Sequence, residues 1–129
     1  DELLDEIEPH LVSSIKKESK NEIPLDPQIW DRIIFDMGQV VSHAKGTGKN
    51  ADPAIQGVEV YGKTGTAENP HGEDHAWFIG WAQYEERKFS IVVLLENSGS
   101  GGAVAAPVAK NVFDKIILDI NNSKQISMK

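Results

Sequence analysis

Lys63-Thr64-Gly65-Thr66 is the segment of this chain best equipped for chemistry, and it lies within Val60-Tyr61-Gly62-Lys63-Thr64-Gly65-Thr66-Ala67-Glu68, which reads as a β-strand. Alternate side chains of a strand share a face, so Thr64 and Thr66 present two hydroxyls in one direction while Gly65 removes bulk from the other. Two neighbouring hydroxyls make a clamp for a carboxylate. The Lys63 ammonium is a point charge suited to holding an anion and to biasing the protonation of a nearby hydroxyl. The main-chain N–H of Thr66 is a candidate donor to the oxyanion that develops during acyl transfer. The chemistry indicated is nucleophilic attack on a carbonyl in a substrate ending in a carboxylate. A strand of this kind grips and polarises. Taken alone, the triplet also fits an ordinary edge strand with a solvated lysine.

Ser13 with Lys16, Ser14 with Lys17, and Ser19-Lys20-Asn21 formally match Ser-x-x-Lys and Ser-x-Asn patterns. A serine-lysine pair three apart shares a face only on a helix. Ser13 and Ser14 instead fall in a stretch, Pro9 to Lys17, that reads as a short strand turned by Glu18-Ser19-Lys20-Asn21 into Glu22-Ile23-Pro24-Leu25. These residues are therefore read as solvated hairpin positions. His71, Glu73, Asp74 and His75 crowd one loop and offer nitrogen and oxygen ligands of the kind zinc takes. With no cysteine in the chain, the reading is a polar loop, with no metal and no cofactor expected. Glu68 reads as a solvated charge at a strand end. Trp77 reads as core ahead of a substrate contact, a role also open to His75, and Trp30 reads as packing or surface.

Around these residues the pattern predicts a hairpin-like segment over 1–25 and a helix over 26–46. Asp26 is its N-cap and Pro27 its first residue, and Ile29, Ile33, Met37, Val40, Val41 and Ala44 follow at helical spacing. Gly46 to Pro53 is rich in turn formers; it follows a helix and lacks a Gly-Lys-Ser/Thr ending, so it reads as a loop and not a phosphate cradle. Three antiparallel strands are expected within 56–96, the last two joined at Glu85-Glu86-Arg87. The continuous apolar run Ile91 to Leu95 predicts a central strand covered on both faces. Val104, Val108, Val112, Ile116 and Ile120 predict a helix over 103–121 lying across the sheet, with a frayed polar tail from Asn121 to Lys129. The fold class is α/β, more closely α+β, with antiparallel strands covered by a C-terminal helix.

The 129 residues suit one domain or a large piece of one, and 40% hydrophobic content supplies a core. A net charge of -7 argues against a phosphate-backbone partner such as nucleic acid. No apolar run approaches the roughly 20 residues of a membrane helix. The start at Asp1-Glu2-Leu3-Leu4 lacks an initiator Met and reads as a cut inside a longer protein.

In order, Pro9-His10-Leu11-Val12, Met37-Gly38-Gln39-Val40-Val41, Gly46-Thr47-Gly48, Gly62 to Ala67, Ala76 to Trp81 and Leu95-Glu96-Asn97 with its glycines form a specific series. The series resembles the transpeptidase domain of class B penicillin-binding proteins of the penicillin-binding protein 2 type. That resemblance implies the C-terminal portion of a penicillin-binding protein/serine β-lactamase-like fold. It also implies a serine D,D-transpeptidase that crosslinks peptidoglycan stem peptides ending in D-Ala-D-Ala and is acylated by β-lactams. By the same resemblance the nucleophilic serine lies outside this chain, Lys63 belongs to the active-site hydrogen-bond network, and Thr64, Gly65 and Thr66 form the substrate-binding strand. Thr66 N–H then completes the oxyanion hole. Implied partners are the remainder of the transpeptidase domain and a glycosyltransferase, and the implied location is the periplasmic side of the inner membrane, with the anchor outside this chain. Gln83 stands where many relatives have proline, and the Ala67-to-His75 connection is short. Two other functions fit the same residues: a class D-like serine β-lactamase and a non-catalytic β-lactam sensor or scaffold. The five-stranded sheet of that fold would place Phe89 to Leu95 in its middle, so the 129 residues alone are expected to be inactive and prone to association.

Overall fold

The computed structural model describes residues 5–7 and 19–127, in two compact units, Asp1–Arg32 and Ile33–Lys129. Ser13, Ser14, Lys16, Lys17 and the Pro9-to-Val12 segment lie outside the described residues. In the first unit β1 (Asp5–Ile7) pairs antiparallel with β2 (Ser19–Glu22), Asp5 opposite Glu22 and Ile7 opposite Ser19. Ser19-Lys20-Asn21, expected in a turn, is thus part of a strand. A polar ribbon with no apolar alternation gives periodicity nothing to detect, and main-chain pairing alone sets its bounds. Helix α1 (Pro27–Ser42) starts here, with the Asp26 carboxylate accepting the Gln28 N–H at 2.8 Å and Pro27 as its first residue.

In the second unit α1 stops at Ser42, short of the predicted Gly46, because the chain folds back over its last turn. The Gly46 N–H donates to the His43 carbonyl at 2.8 Å and the Gly48 N–H to the Val40 carbonyl at 2.9 Å. Of the predicted apolar stripe, Val41 is buried and Met37 and Val40 are half-buried, whereas Ile33 and Ala44 are exposed. A short 3-10 turn, Lys49–Ala51, then leads toward the sheet.

That sheet has three antiparallel strands in chain order: β3 (Val58–Ala67), β4 (His75–Tyr84) and β5 (Arg87–Leu95). β-branched and aromatic residues dominate all three, and the register sorts them cleanly by face. Thr64 opposes Phe78, which opposes Val93; Val60 opposes Ala82, which opposes Phe89. This face is the core, closed by a π-helical turn (Gly101–Ala105) running into helix α2 (Ala106–Ser127). Phe78 and Phe113 are fully buried where sheet and helix meet, each contributing about 2–3 kcal/mol of apolar transfer.

The buried stripe of α2 differs from the expected one. It runs Ala106, Ala109, Phe113, Ile117 and Ile120, while Val108 and Val112 are exposed. With 3.6 residues per turn, each step of four overshoots by about 40°, so a series at strict spacing of four winds off the face within a few steps. Mixed steps of three and four stay on it. The helix also continues past Asn121 to Ser127, where fraying was expected. The Tyr84 hydroxyl donates to the Asn121 side-chain carbonyl at 2.9 Å, and the Lys124 ammonium pairs with the Glu85 carboxylate and lies 5.8 Å from the Tyr84 ring centre. Polar contacts from the β4–β5 hairpin hold this last part of the helix.

The opposite sheet face carries the rows Tyr61–Trp81–Ser90, Lys63–Ile79–Val92 and Gly65–Trp77–Leu94. Tyr61 and Trp81 stack with centroids 4.9 Å apart, and Gly38 of α1 lies against the Tyr61 ring. Beyond that stack, Trp77, Ile79, Val92 and Leu94 are exposed. Among the described residues β5, expected as a central strand covered on both faces, is therefore an edge strand covered on one, and β4 is the central strand. Trp77, expected in the core, belongs to the open face.

Candidate active site

β3 ends the sheet, so one of its edges is paired with no other described strand. Along it the pleat places Thr64 and Thr66 on the α2 side and Lys63 and Gly65 on the opposite side. The two hydroxyls share a direction, and the ammonium does not share it. Lys63 is exposed and donates to the Thr64 carbonyl at 2.5 Å, folding its charge along its own strand.

The two threonines differ in what their hydroxyls have left to offer. Thr66 is exposed, and its hydroxyl oxygen accepts the Gly101 N–H at 3.4 Å. A hydroxyl has one proton and two lone pairs, so this contact occupies an acceptor site and leaves the proton for an anion. Thr64 is 9% exposed, and its hydroxyl is hydrogen-bonded to the Thr47 hydroxyl at 2.8 Å, a pair in which either oxygen can donate.

Gly101 reaches Thr66 because the β5-to-α2 turn is tied down. The Asp74 carbonyl accepts the N–H groups of Ser98 and Gly99, both at 2.9 Å. Asn97 has φ 50°, a left-handed conformation asparagine tolerates, and its N–H donates to His75 Nδ1 at 3.0 Å. The Asn69 amide donates to the Asn97 side-chain carbonyl at 2.6 Å, joining the β3–β4 loop to the same turn. A Cβ on Gly101 would sit 2.2 Å from the Trp77 carbonyl oxygen and 2.4 Å from that of Gly65. Only glycine lets this main chain lie flat across the Gly65–Trp77 pair.

The crowded loop is spent on its own architecture. Asp74 Oδ1 accepts the Asn69 N–H at 3.3 Å, and His75 Nδ1 is engaged by Asn97. Among the described residues no three His, Cys, Asp or Glu side chains converge as metal ligands. Glu68 is exposed at the strand end. Tyr61, on the Lys63 face, has its phenol pKa raised above 10.0 by burial and then by the Glu59 carboxylate, to which its hydroxyl donates at 3.0 Å.

Sequence reasoning placed the four residues of the triplet strand but gave no role to Thr47, Asn69 or Asn97. Thr47 and Thr64 are separated by 17 positions, and Asn69 and Asn97 by 28, so no local spacing announces either pair. The one local signal was Asn97-Ser98-Gly99, a turn sequence whose first residue suits a positive φ.

Comparison with known proteins bears directly on this geometry. Residues 5–114 match the model of the penicillin binding protein transpeptidase domain. The peptidoglycan D,D-transpeptidase MrdA of Haemophilus influenzae is 38% identical over 100 residues, 66% of this chain and 15% of that protein. Stage V sporulation protein D of Bacillus subtilis is 32% identical over 123 residues, 83% of this chain and 18% of that protein. Among solved structures, penicillin-binding protein 2 of Pseudomonas aeruginosa in complex with WCK 5153 superposes with a TM-score of 0.62 and 39% identity, covering 73% of this chain and 20% of that one. Penicillin-binding protein A of Mycobacterium tuberculosis, an imipenem acyl-enzyme complex, gives a TM-score of 0.60 and 30% identity over 81% of this chain and 22% of that one. The chain thus spans less than a quarter of each of these proteins. With the family model covering both the triplet strand and the turn that supports it, this chain belongs to the penicillin-binding protein transpeptidase domain family.

Proposed function

We propose that this chain supplies the Lys-Thr-Gly strand of a peptidoglycan D,D-transpeptidase whose nucleophilic serine lies outside the 129 residues. The serine oxygen attacks the carbonyl between the two terminal D-Ala residues of a stem peptide, and the terminal D-Ala leaves as its free amine. An amine of a neighbouring strand then attacks the acyl-enzyme, forming the crosslink and releasing the serine. A β-lactam takes the same first step and stays attached.

The observation that carries this reading is Thr66, exposed on the end strand of the sheet with an acceptor site occupied by Gly101 N–H and its proton unspent. An extended peptide laid along such an edge adds to it as a strand, which sets register without demanding particular side chains. In this assignment Thr66 donates to the substrate carboxylate and its N–H to the oxyanion. Lys63 supplies positive charge from the opposite face, Gly65 keeps the strand slim and Thr64 adds a second hydroxyl. The remainder of the transpeptidase domain covers the open face at Trp77, Ile79, Val92 and Leu94. The complete protein works at the periplasmic side of the inner membrane with a glycosyltransferase as partner.

The test uses the complete protein that carries this chain. Fluorescent penicillin should label it, Lys63→Met should slow labelling by about 10- to 100-fold, as loss of a charge-assisted contact does, and lipid-linked glycan should be crosslinked. Rapid turnover of penicillin without crosslinks would make it a hydrolase. Labelling with neither turnover nor crosslinks would make it a sensor, and either result overturns the proposal.

A further inference from the structure

We infer that Thr47 is a positioning residue for carboxylate recognition, acting through Thr64; the inference rests on the transpeptidase reading of the Lys63-to-Thr66 strand. The Thr64 hydroxyl is nearly covered and hydrogen-bonded to that of Thr47 at 2.8 Å, and its single proton can serve either Thr47 or a ligand. For Thr64 to donate to an incoming carboxylate, its proton must turn away from Thr47. Thr47 can follow, because a hydroxyl is both donor and acceptor. In the bound arrangement the Thr47 O–H donates to the Thr64 oxygen, and the Thr64 O–H donates to the anion. The hydrogen bond between the threonines is kept, with Thr47 as its donor. A chained donor is also stronger than an isolated one. No bond between heavy atoms is made or broken, and each hydroxyl keeps its own proton.

The surroundings hold Thr47 still for this task. It is flanked by Gly46 and Gly48, whose main chain runs so close to the end of α1 that a Cβ would lie 2.3 Å from the Val40 carbonyl oxygen at Gly46 and 2.9 Å from the Val40 side chain at Gly48. From the other side Gly102 presses on the Thr47 carbonyl, where a Cβ would lie 2.3 Å away, and the Asn50 amide donates to the Gly102 carbonyl at 2.9 Å. Backbone on both sides fixes the Thr47 main chain, and hence the site from which its hydroxyl reaches Thr64. The hydroxyl rotor remains free to turn. Thr47 itself is exposed and borders the open concavity at the end of α1, so losing its hydroxyl leaves no buried group stranded except that of Thr64.

The experiment is carried out in the complete protein, comparing acylation by benzylpenicillin and by its methyl ester, which lacks the carboxylate charge. Thr47→Val should weaken pre-acylation binding of benzylpenicillin about fivefold, the effect of one hydrogen bond, with the acylation step and the ester rate unchanged. Thr47→Ser should restore the wild-type value. Thr64→Val and the Thr47→Val/Thr64→Val double variant should match each other, because Thr47 has no path to the ligand except through Thr64. Equal losses on acid and ester, no rescue by serine, or additive losses in the double variant would overturn the inference. Failure of the wild-type protein to be acylated at all would instead overturn the underlying transpeptidase reading.

Discussion

Two threonines two positions apart in one strand, alike in sequence, have different hydrogen-bonding partners. Thr66 accepts from the Gly101 N–H and keeps its proton; the Thr64 hydroxyl is bonded to that of Thr47. Alternation in the strand was legible, since it follows from the pleat. The occupancy of each hydroxyl was not, because it depends on loops that arrive from 17 residues before and 35 residues after. On the other face, Tyr61 offers a test in alkali. Its folded pKa lies above 10.0, so the neutral phenol is favoured in the folded state, and the associated stability is complete below pH 10 and lost as pH rises through the folded value. Absorbance titration should show one phenol ionising late, and Tyr61→Phe should remove that part of the alkaline loss. A phenol titrating at the ordinary value would contradict the packing described for it.

At the scale of elements, the strands were readable because β-branched and aromatic residues cluster between turn formers. The buried stripe of α2 departs from the valine and isoleucine series because alanine and phenylalanine carry most of the contact. Phe113 is 1% exposed and Val112 40% exposed, one residue and a third of a turn apart. Phe113→Ala should therefore cost about 3–5 kcal/mol in chemical denaturation, against less than about 1 kcal/mol for Val112→Ala. Comparable losses from both would restore the strict four-residue series. The far end of α2 has a different basis, and hydropathy gave no sign of it: Asn121 and Lys124 are polar but bonded to the β4–β5 hairpin. Tyr84→Phe should lower stability by about 1 kcal/mol, the worth of one hydrogen bond. A neutral result would mean that the hairpin does not hold the helix end.

For the whole molecule, the decisive asymmetry is between the two faces of the sheet. One is closed by α2; the other leaves Val92 67% exposed, with Ile79, Leu94 and Trp77 beside it. The continuous apolar run of β5 announced a strand covered on both sides, and in the described residues one cover is missing. An edge strand with an apolar face is a template for association. Taken alone, the 129-residue chain should self-associate in analytical ultracentrifugation, and Val92→Lys should shift it toward monomer. A wild-type monomer with a cooperative melt would show that this face needs no covering.

The near-contact of Gly101 with the carbonyls of Gly65 and Trp77 also binds together the fates of two distant stretches of chain. With no side chain to act as a cushion, the π-helical turn cannot lift without uncovering the gripping strand, and that strand cannot slide without pushing on the turn. Amides of Gly101–Ala105 and of the β3 residues whose N–H groups bond to β4 should then lose their protection from solvent deuterium in a single event. A probe fixed to the outer surface of α2 would consequently sense whether the edge of β3 is occupied.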